Sequence, residues 1–142
     1  MTDGVPKTAT WLGRAGLLPF LALPLLIVID LHHRQLWENA LAAYTLAIIC
    51  FLLGAWWGLA LIRRYPLALV LSNVLLLVLF FSYLLLSMQI YFLIAAALFI
   101  SILVIERRYD LFRLQPAYYS RLRLHLSLAA SLALVVVAVL MG

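Results

Sequence analysis

Residues 67–105 read LALVLSNVLLLVLFFSYLLLSMQIYFLIAAALFISILVI, 39 positions without one charged side chain. As a single straight helix this stretch would be about 58 Å long at 1.5 Å per residue. That is nearly twice the ~30 Å hydrocarbon core of a bilayer, so the segment must fold back as a hairpin of two membrane helices. Ser82, Tyr83, Ser87, Gln89 and Tyr91 mark the turn; no Gly or Pro punctuates it.

Further apolar stretches lie on both sides of the hairpin, and together they place five spans at approximately 11–29, 40–62, 67–84, 90–105 and 117–141. Runs this long are helices, because barrel strands would be about 10 residues and would alternate in polarity. The expected fold is an all-α integral membrane protein: one five-transmembrane-helix bundle over residues 1–142. Composition agrees. The chain is 68% hydrophobic and 11% charged, against about 45–50% apolar and about 25% charged in soluble domains. A soluble domain is excluded. The first stretch has a basic start at Lys7 and Arg14, as a signal peptide would. No small-residue cleavage site follows it, and it reads as a retained span.

The net charge of +5 reports topology rather than nucleic-acid binding. Lys7, Arg14, Arg63, Arg64, Arg107, Arg108, Arg113, Arg121 and Arg123 fall on one side of the five spans, and Arg34 alone on the other. Cations concentrate in short loops on the cytoplasmic side. The N-terminus is therefore expected in the cytoplasm and the C-terminus outside, in a bacterial inner membrane; in a mitochondrion the basic side would face the matrix. The single cysteine, Cys50, lies inside the second span, so no intrachain disulfide exists.

Inside the spans, Pro19 and Pro24 each remove one ladder hydrogen bond and predict a kinked first helix. In the second span Ala43, Ala47, Cys50, Gly54 and Gly58 share one helical face, and small residues let helices approach closely in lipid. Ser127 and Ser131 lie at matching depth in the antiparallel fifth span. The pattern predicts that Gly54 and Gly58 pack against Ser127 and Ser131, with Asn73 as a further hydrogen-bonding helix-packing residue. Trp57 borders the small face; Trp56 points away from it. The only sizeable loop is expected at Glu106–Gln115, with Pro116 opening the last helix.

Three stretches carry a likeness. They are Trp11-Leu12-Gly13-Arg14-Ala15-Gly16-Leu17-Leu18-Pro19-Phe20, then Ala43-Tyr44 through Phe51-Leu52-Leu53-Gly54-Ala55-Trp56-Trp57-Gly58-Leu59-Ala60-Leu61, then Pro116-Ala117-Tyr118-Tyr119-Ser120-Arg121-Leu122-Arg123-Leu124. Their order and spacing resemble the family called domain of unknown function 3429 (transmembrane protein 69-like), over about residues 11–140. The resemblance implies several membrane spans, a home in proteobacterial inner membranes or mitochondria, and no established activity. The family usually places Gly-Gly, one residue and a polar residue before the second-span Trp-Gly. Ala55 and Trp56 stand there in this chain, so a role for a polar side chain at that point does not carry over.

Chemistry is sparse. Asp30-Leu31-His32-His33-Arg34-Gln35-Leu36-Trp37-Glu38 has two histidines between carboxylates, but neighbouring histidines on a helical segment diverge by about 100°. It reads as a solvated loop, not a metal site. No nucleophile–base arrangement, phosphate loop or cofactor ligand set occurs, and Arg14, Asp30, Glu106 and His125 all sit near span ends. These features point to a non-catalytic accessory or assembly subunit of a larger membrane complex, with no cofactor; the resembled family's home in proteobacterial and mitochondrial membranes implies a respiratory one. The alternative is a binder or carrier of a small amphipath such as an anionic lipid or quinone. Its headgroup pocket would use Arg14, Trp57, Tyr119, Arg121 and Arg123, a cation beside an indole among aromatics at interfacial depth. Membrane lipid is the one partner common to both readings. The charge count makes the orientation testable: reporters fused at Arg113 and at Gly142 should be active only on the cytoplasmic and the external side, respectively. A reversed pair would invert the whole assignment.

Overall fold

A computed structural model of the chain describes residues 4–64, 66–108 and 117–141, apart from the side chains of 4–6, 9, 63 and 117–120. Six α-helices account for nearly all of them: α1 (Gly4–Gly16), α2 (Leu18–Ile29), α3 (Arg34–Arg63), α4 (Pro66–Leu85), α5 (Met88–Arg108) and α6 (Ala117–Met141). A 3-10 turn at Leu31–His33 joins α2 to α3. Five segments are long and apolar enough to cross a membrane: Thr10–Ile29, Leu31–Ile62, Pro66–Leu85, Met88–Arg108 and Arg121–Met141. The protein is an all-α, multi-pass membrane protein.

The uncharged stretch does fold as a hairpin. α4 ends at Leu85 and α5 begins at Met88. Ser87 does the work of a glycine or proline: its Oγ accepts from Ile90 N–H at 3.4 Å and its carbonyl from Tyr91 N–H at 2.9 Å, an N-cap arrangement. At the other end of α4, Arg64 stops α3 in the left-handed region (φ 55°), its N–H returning to the Ala60 carbonyl. Pro66 then opens α4, where its missing N–H costs nothing. Of the loop expected at Glu106–Gln115, residues 106–108 belong to α5, which continues to Arg108. The remainder of that loop and Pro116 lie outside the described residues.

The first span is interrupted for one residue, which keeps helical dihedrals (φ −79°, ψ −18°). Leu17 separates α1 from α2, with its N–H on the Arg14 carbonyl at 3.1 Å and Pro19 in the first turn of α2. Helix ends leave carbonyls without partners, and Tyr44 of α3 donates its hydroxyl to the Gly16 carbonyl at 2.6 Å.

The helices close into a ring in chain order. α2 packs on α3, α3 on α4, α4 on α5 and α5 on α6, and both α1 and α2 return to α6. α5 also reaches across to α3 and is the central helix, burying Tyr91, Phe92, Ala95, Phe99 and Ile102. Small residues do bring two helices together, but they are those of α5 and α6. Ala96 and Ala95 face Ala130, Ala133, Ser127 and Ser131, all buried, and Ser131 Oγ donates to the Ala96 carbonyl at 3.3 Å.

The expected packing of α3 on α6 is therefore corrected. Those helices make no close approach, and Gly54 and Gly58 are exposed, with open space where a side chain would begin. The inward face of α3 is the opposite one: Leu41, Thr45, Ile49, Leu52, Trp56 and Ala60. The reason is that this face buries the larger apolar area and gives the Trp56 N–H a partner, which hydrocarbon cannot. Asn73 is likewise exposed, on the outer side of α4, whereas its neighbour Ser72 is buried and bonds to the Leu69 carbonyl. Gly13 is the glycine that is closely covered: a Cβ there would lie 2.7 Å from the Leu122 side chain on α6. Gly54→Ala and Gly58→Ala should each raise stability by about 0.5–1 kcal/mol, the helix-propensity gain. Gly13→Ala should lose about 1–3 kcal/mol through overpacking. Thermal unfolding of the three variants in detergent checks this, and the reverse order would restore the α3–α6 packing.

Candidate functional site

Glu106 lies in the last turn of α5 and Arg123 in the second turn of α6, and both are buried, at 5% and 4% exposure. Arg123 engages Glu106 through two N–H groups: Nε donates to Oε2 at 3.1 Å and Nη2 to Oε1. Trp56 of α3 adds its indole N–H to Glu106 Oε1 at 2.9 Å. One carboxylate thus ties three spans together. An ion placed in hydrocarbon needs an opposite charge and hydrogen bonds, and this geometry supplies both. Sequence reasoning missed it because Glu106 sits two residues from the end of its helix, where a charge ordinarily reaches solvent. The usable signal was that Glu106 precedes Arg107-Arg108 as the only acid of an otherwise basic helix end. The sequence reading saw no polar group at Trp56; its indole N–H is one.

Beside this triad a cleft of about 400 Å³ opens between α1, α3 and α6. It exists because the chain breaks at Leu17: α2 stays on α3, but α1 leans on α6 and makes no close approach to α3. Phe20, Ile48, Leu52 and Phe99 form its inner wall, and Leu122, Leu126 and Ala130 its α6 side. Gly13 and Gly16 line it from α1. At its rim Leu12 and Phe51 are 61% and 72% exposed on the outside of the bundle. Arg123 is the charged residue of this lining.

A second, smaller depression of about 290 Å³ lies on the other side of Leu122 and Leu126, between α1 and α6. Thr10, Arg14, Arg121 and His125 give it its polar lining. The single pocket expected from Arg14, Trp57, Tyr119, Arg121 and Arg123 is thus divided. Arg123 belongs to the cleft, and Arg14 and Arg121 to the groove. Trp57 lines neither: it faces outward from α3, one position past the buried Trp56. The expected stacking of Arg123 on Trp57 gives way to the Glu106 pair, which balances the charge. The side chain of Tyr119 lies outside the described residues. Of the four expected α3–α6 packing residues, Ser127 and Ser131 are buried, against α5, and Gly54 and Gly58 are not.

At the opposite end of the bundle, the expected loop at 30–38 is largely helical. Arg34 Nε donates to Glu38 Oε1 at 3.0 Å and Trp37 Nε1 to Asp30 Oδ2 at 3.2 Å. Hydrogen bonds from Trp37 and His33 hold the Asp30 carboxyl below the usual carboxylate range. Among the described residues no three His, Cys, Asp or Glu side chains gather as a metal site would require.

Comparison with known proteins places this architecture. The family model described as "Protein of unknown function (DUF3429)" matches residues 5–139. Transmembrane protein 69 of Xenopus tropicalis is 39% identical over 61 residues, which are 43% of this chain and 24% of that protein. The chain thus aligns with about a quarter of the curated relative's length. No solved structure matches the chain.

Removing one member of a buried ion pair strands the other. Glu106→Gln should cost about 3–5 kcal/mol, and adding Arg123→Met should recover most of it. Trp56→Phe should cost about 1.5–3 kcal/mol, the loss of one hydrogen bond to a charged group. Denaturation in matched detergent of the parent, Glu106→Gln, Arg123→Met, their double variant and Trp56→Phe measures this. Additive losses for Glu106 and Arg123 would show that the two do not act as a pair.

Proposed function

The chain belongs to the DUF3429 family of proteins of unknown function, and we propose that it binds a neutral amphipath, a carbonyl-bearing head on a long apolar chain such as a quinone. The observation that carries this is the cleft beside Arg123. Its volume falls within the ~300–1,000 Å³ of small-molecule sites, its walls are apolar, and its rim faces the surrounding hydrocarbon. Arg123 lies in that wall, and Glu106 balances its charge in place. A neutral acceptor suits such a floor better than an anion, whose charge would have no counterpart there. In this reading the protein lies in a bacterial inner membrane with its basic end in the cytoplasm, and the ligand enters sideways from the bilayer.

A second reading, an accessory or assembly subunit of a larger membrane complex, draws on the outer surface. Gly54 and Gly58 on α3 and Asn73 on α4 are exposed, all within about three turns of the α3–α4 connection. An amide and a small-residue pair facing lipid suit a neighbouring transmembrane helix. Neither reading involves catalysis.

Filling the cleft tests the first reading. Ile48→Trp should fold normally and, after gentle extraction, lose the small molecule that native mass spectrometry finds on the parent. Trp57→Leu, outside the cleft, should keep it. A parent that carries no amphipath, or an Ile48→Trp variant that keeps one, removes this reading. A stoichiometric large protein on the parent, lost in Gly58→Leu, would establish the second.

A further inference from the structure

The groove between α1 and α6 is chemically unlike the cleft behind it. Arg14, in the last turn of α1, and Arg121, in the first turns of α6, are both exposed and both line it. His125 lies one turn beyond Arg121 on the same helix, and Thr10 one turn before Arg14. No carboxylate is among its described lining residues, and neither arginine takes part in an ion pair among the described residues. Two guanidinium groups from different helices thus line one concave surface with no counter-charge among the described residues. Arg34 and Arg123 are paired, with Glu38 and Glu106; Arg64, Arg107 and Arg108 are in no ion pair among the described residues but line neither cavity.

The geometry points to an anion site that the amphipath reading does not use: a phosphate group held between Arg14 and Arg121, with His125 and Thr10 as further donors. Planar guanidinium forks match phosphate oxygens. The hydroxyl and imidazole can complete the set. The apolar Leu122 and Leu126 between the arginines continue toward the membrane interior. An acyl chain would lie along them, so a phospholipid headgroup fits the whole groove and free phosphate fits its polar end alone. Occupancy has a mechanical consequence. The anion bridges α1 to α6 on the face opposite the cleft, and the close approach of Gly13 to Leu122 lies between the two.

A generic basic belt would use any cations at this end of the bundle, which gives the control. Arg107 and Arg108, at the end of α5, are exposed and line neither cavity. Three proteins go into nanodiscs of phosphatidylcholine with a minority of phosphatidylglycerol: the parent, Arg14→Gln/Arg121→Gln, and Arg107→Gln/Arg108→Gln. Native mass spectrometry then counts retained phosphatidylglycerol. The parent should hold one molecule preferentially. The groove variant should bind it about tenfold more weakly for each guanidinium lost, while the control variant binds as the parent does. Equal losses in both double variants, or no preferred lipid on the parent, overturn the site. Added inorganic phosphate separates the sources: lipid that it does not displace assigns the groove to a headgroup. Displacement that is absent from the groove variant assigns it to soluble phosphate. Ile48→Trp, which blocks the cleft, should leave this binding unchanged, so the two sites fail independently.

Discussion

The buried pair of Glu106 and Arg123 is the constraint around which the bundle is arranged. Neither ion tolerates hydrocarbon alone, and together they still need further hydrogen bonds. Two parallel contacts join the guanidinium to the carboxylate, and the Trp56 indole supplies a third donor. Because these residues sit on α3, α5 and α6, satisfying the carboxylate fixes the rotation of three helices about their own axes. It turns Trp56 inward on α3, and so turns Gly54 and Gly58 outward. It also sets α5 and α6 in register at one end, while Gln89, donating to the Ala138 carbonyl at 2.8 Å, holds them at the other.

Within that frame the break at Leu17 creates the space. A continuous first helix would lie along α3 for its whole length. Instead the chain changes direction between Gly16 and Leu18, and Tyr44 ties the Gly16 carbonyl to α3 at that point. Phe20 follows at once and packs edge-on against both Tyr44 and Phe99, at 5.2 and 5.8 Å between ring centres. α1 then diverges onto α6, leaving apolar walls on one side of Leu122 and a basic groove on the other. Arg123 is thus neutralised inside the bundle, while Arg14 and Arg121 stay at the outer groove.

The spans were legible because hydrocarbon imposes a one-dimensional rule. Length and apolarity along the chain suffice, and charges end each run. That a turn falls within Ser82–Tyr91 was legible for the same reason, since a 39-residue run cannot cross once; its place at Ser87 was not. The face of α3 was not. A stripe of glycines and alanines satisfies a helix neighbour equally well within the chain or on another molecule. The sequence pattern holds no information on which neighbour is present. The corresponding stripe on α6, with Ser127 and Ser131, did find a partner, but on α5, where Ala95 and Ala96 meet it.

The amino-acid sequence by itself determined that this chain has five segments long and apolar enough to cross a membrane, and which end of them is basic. Those properties depend on composition along a line. The tertiary structure alone decided that Glu106 is internal, that Trp56 rather than Trp57 serves it, and that Arg14 and Arg121 line a different depression from Arg123. Such outcomes depend on helix rotation, which is set by the simultaneous satisfaction of groups far apart in sequence. A carboxylate two residues from a helix end faces water or protein according to what packs beside it. In this bundle the neighbours are an arginine 17 residues later and a tryptophan 50 residues earlier.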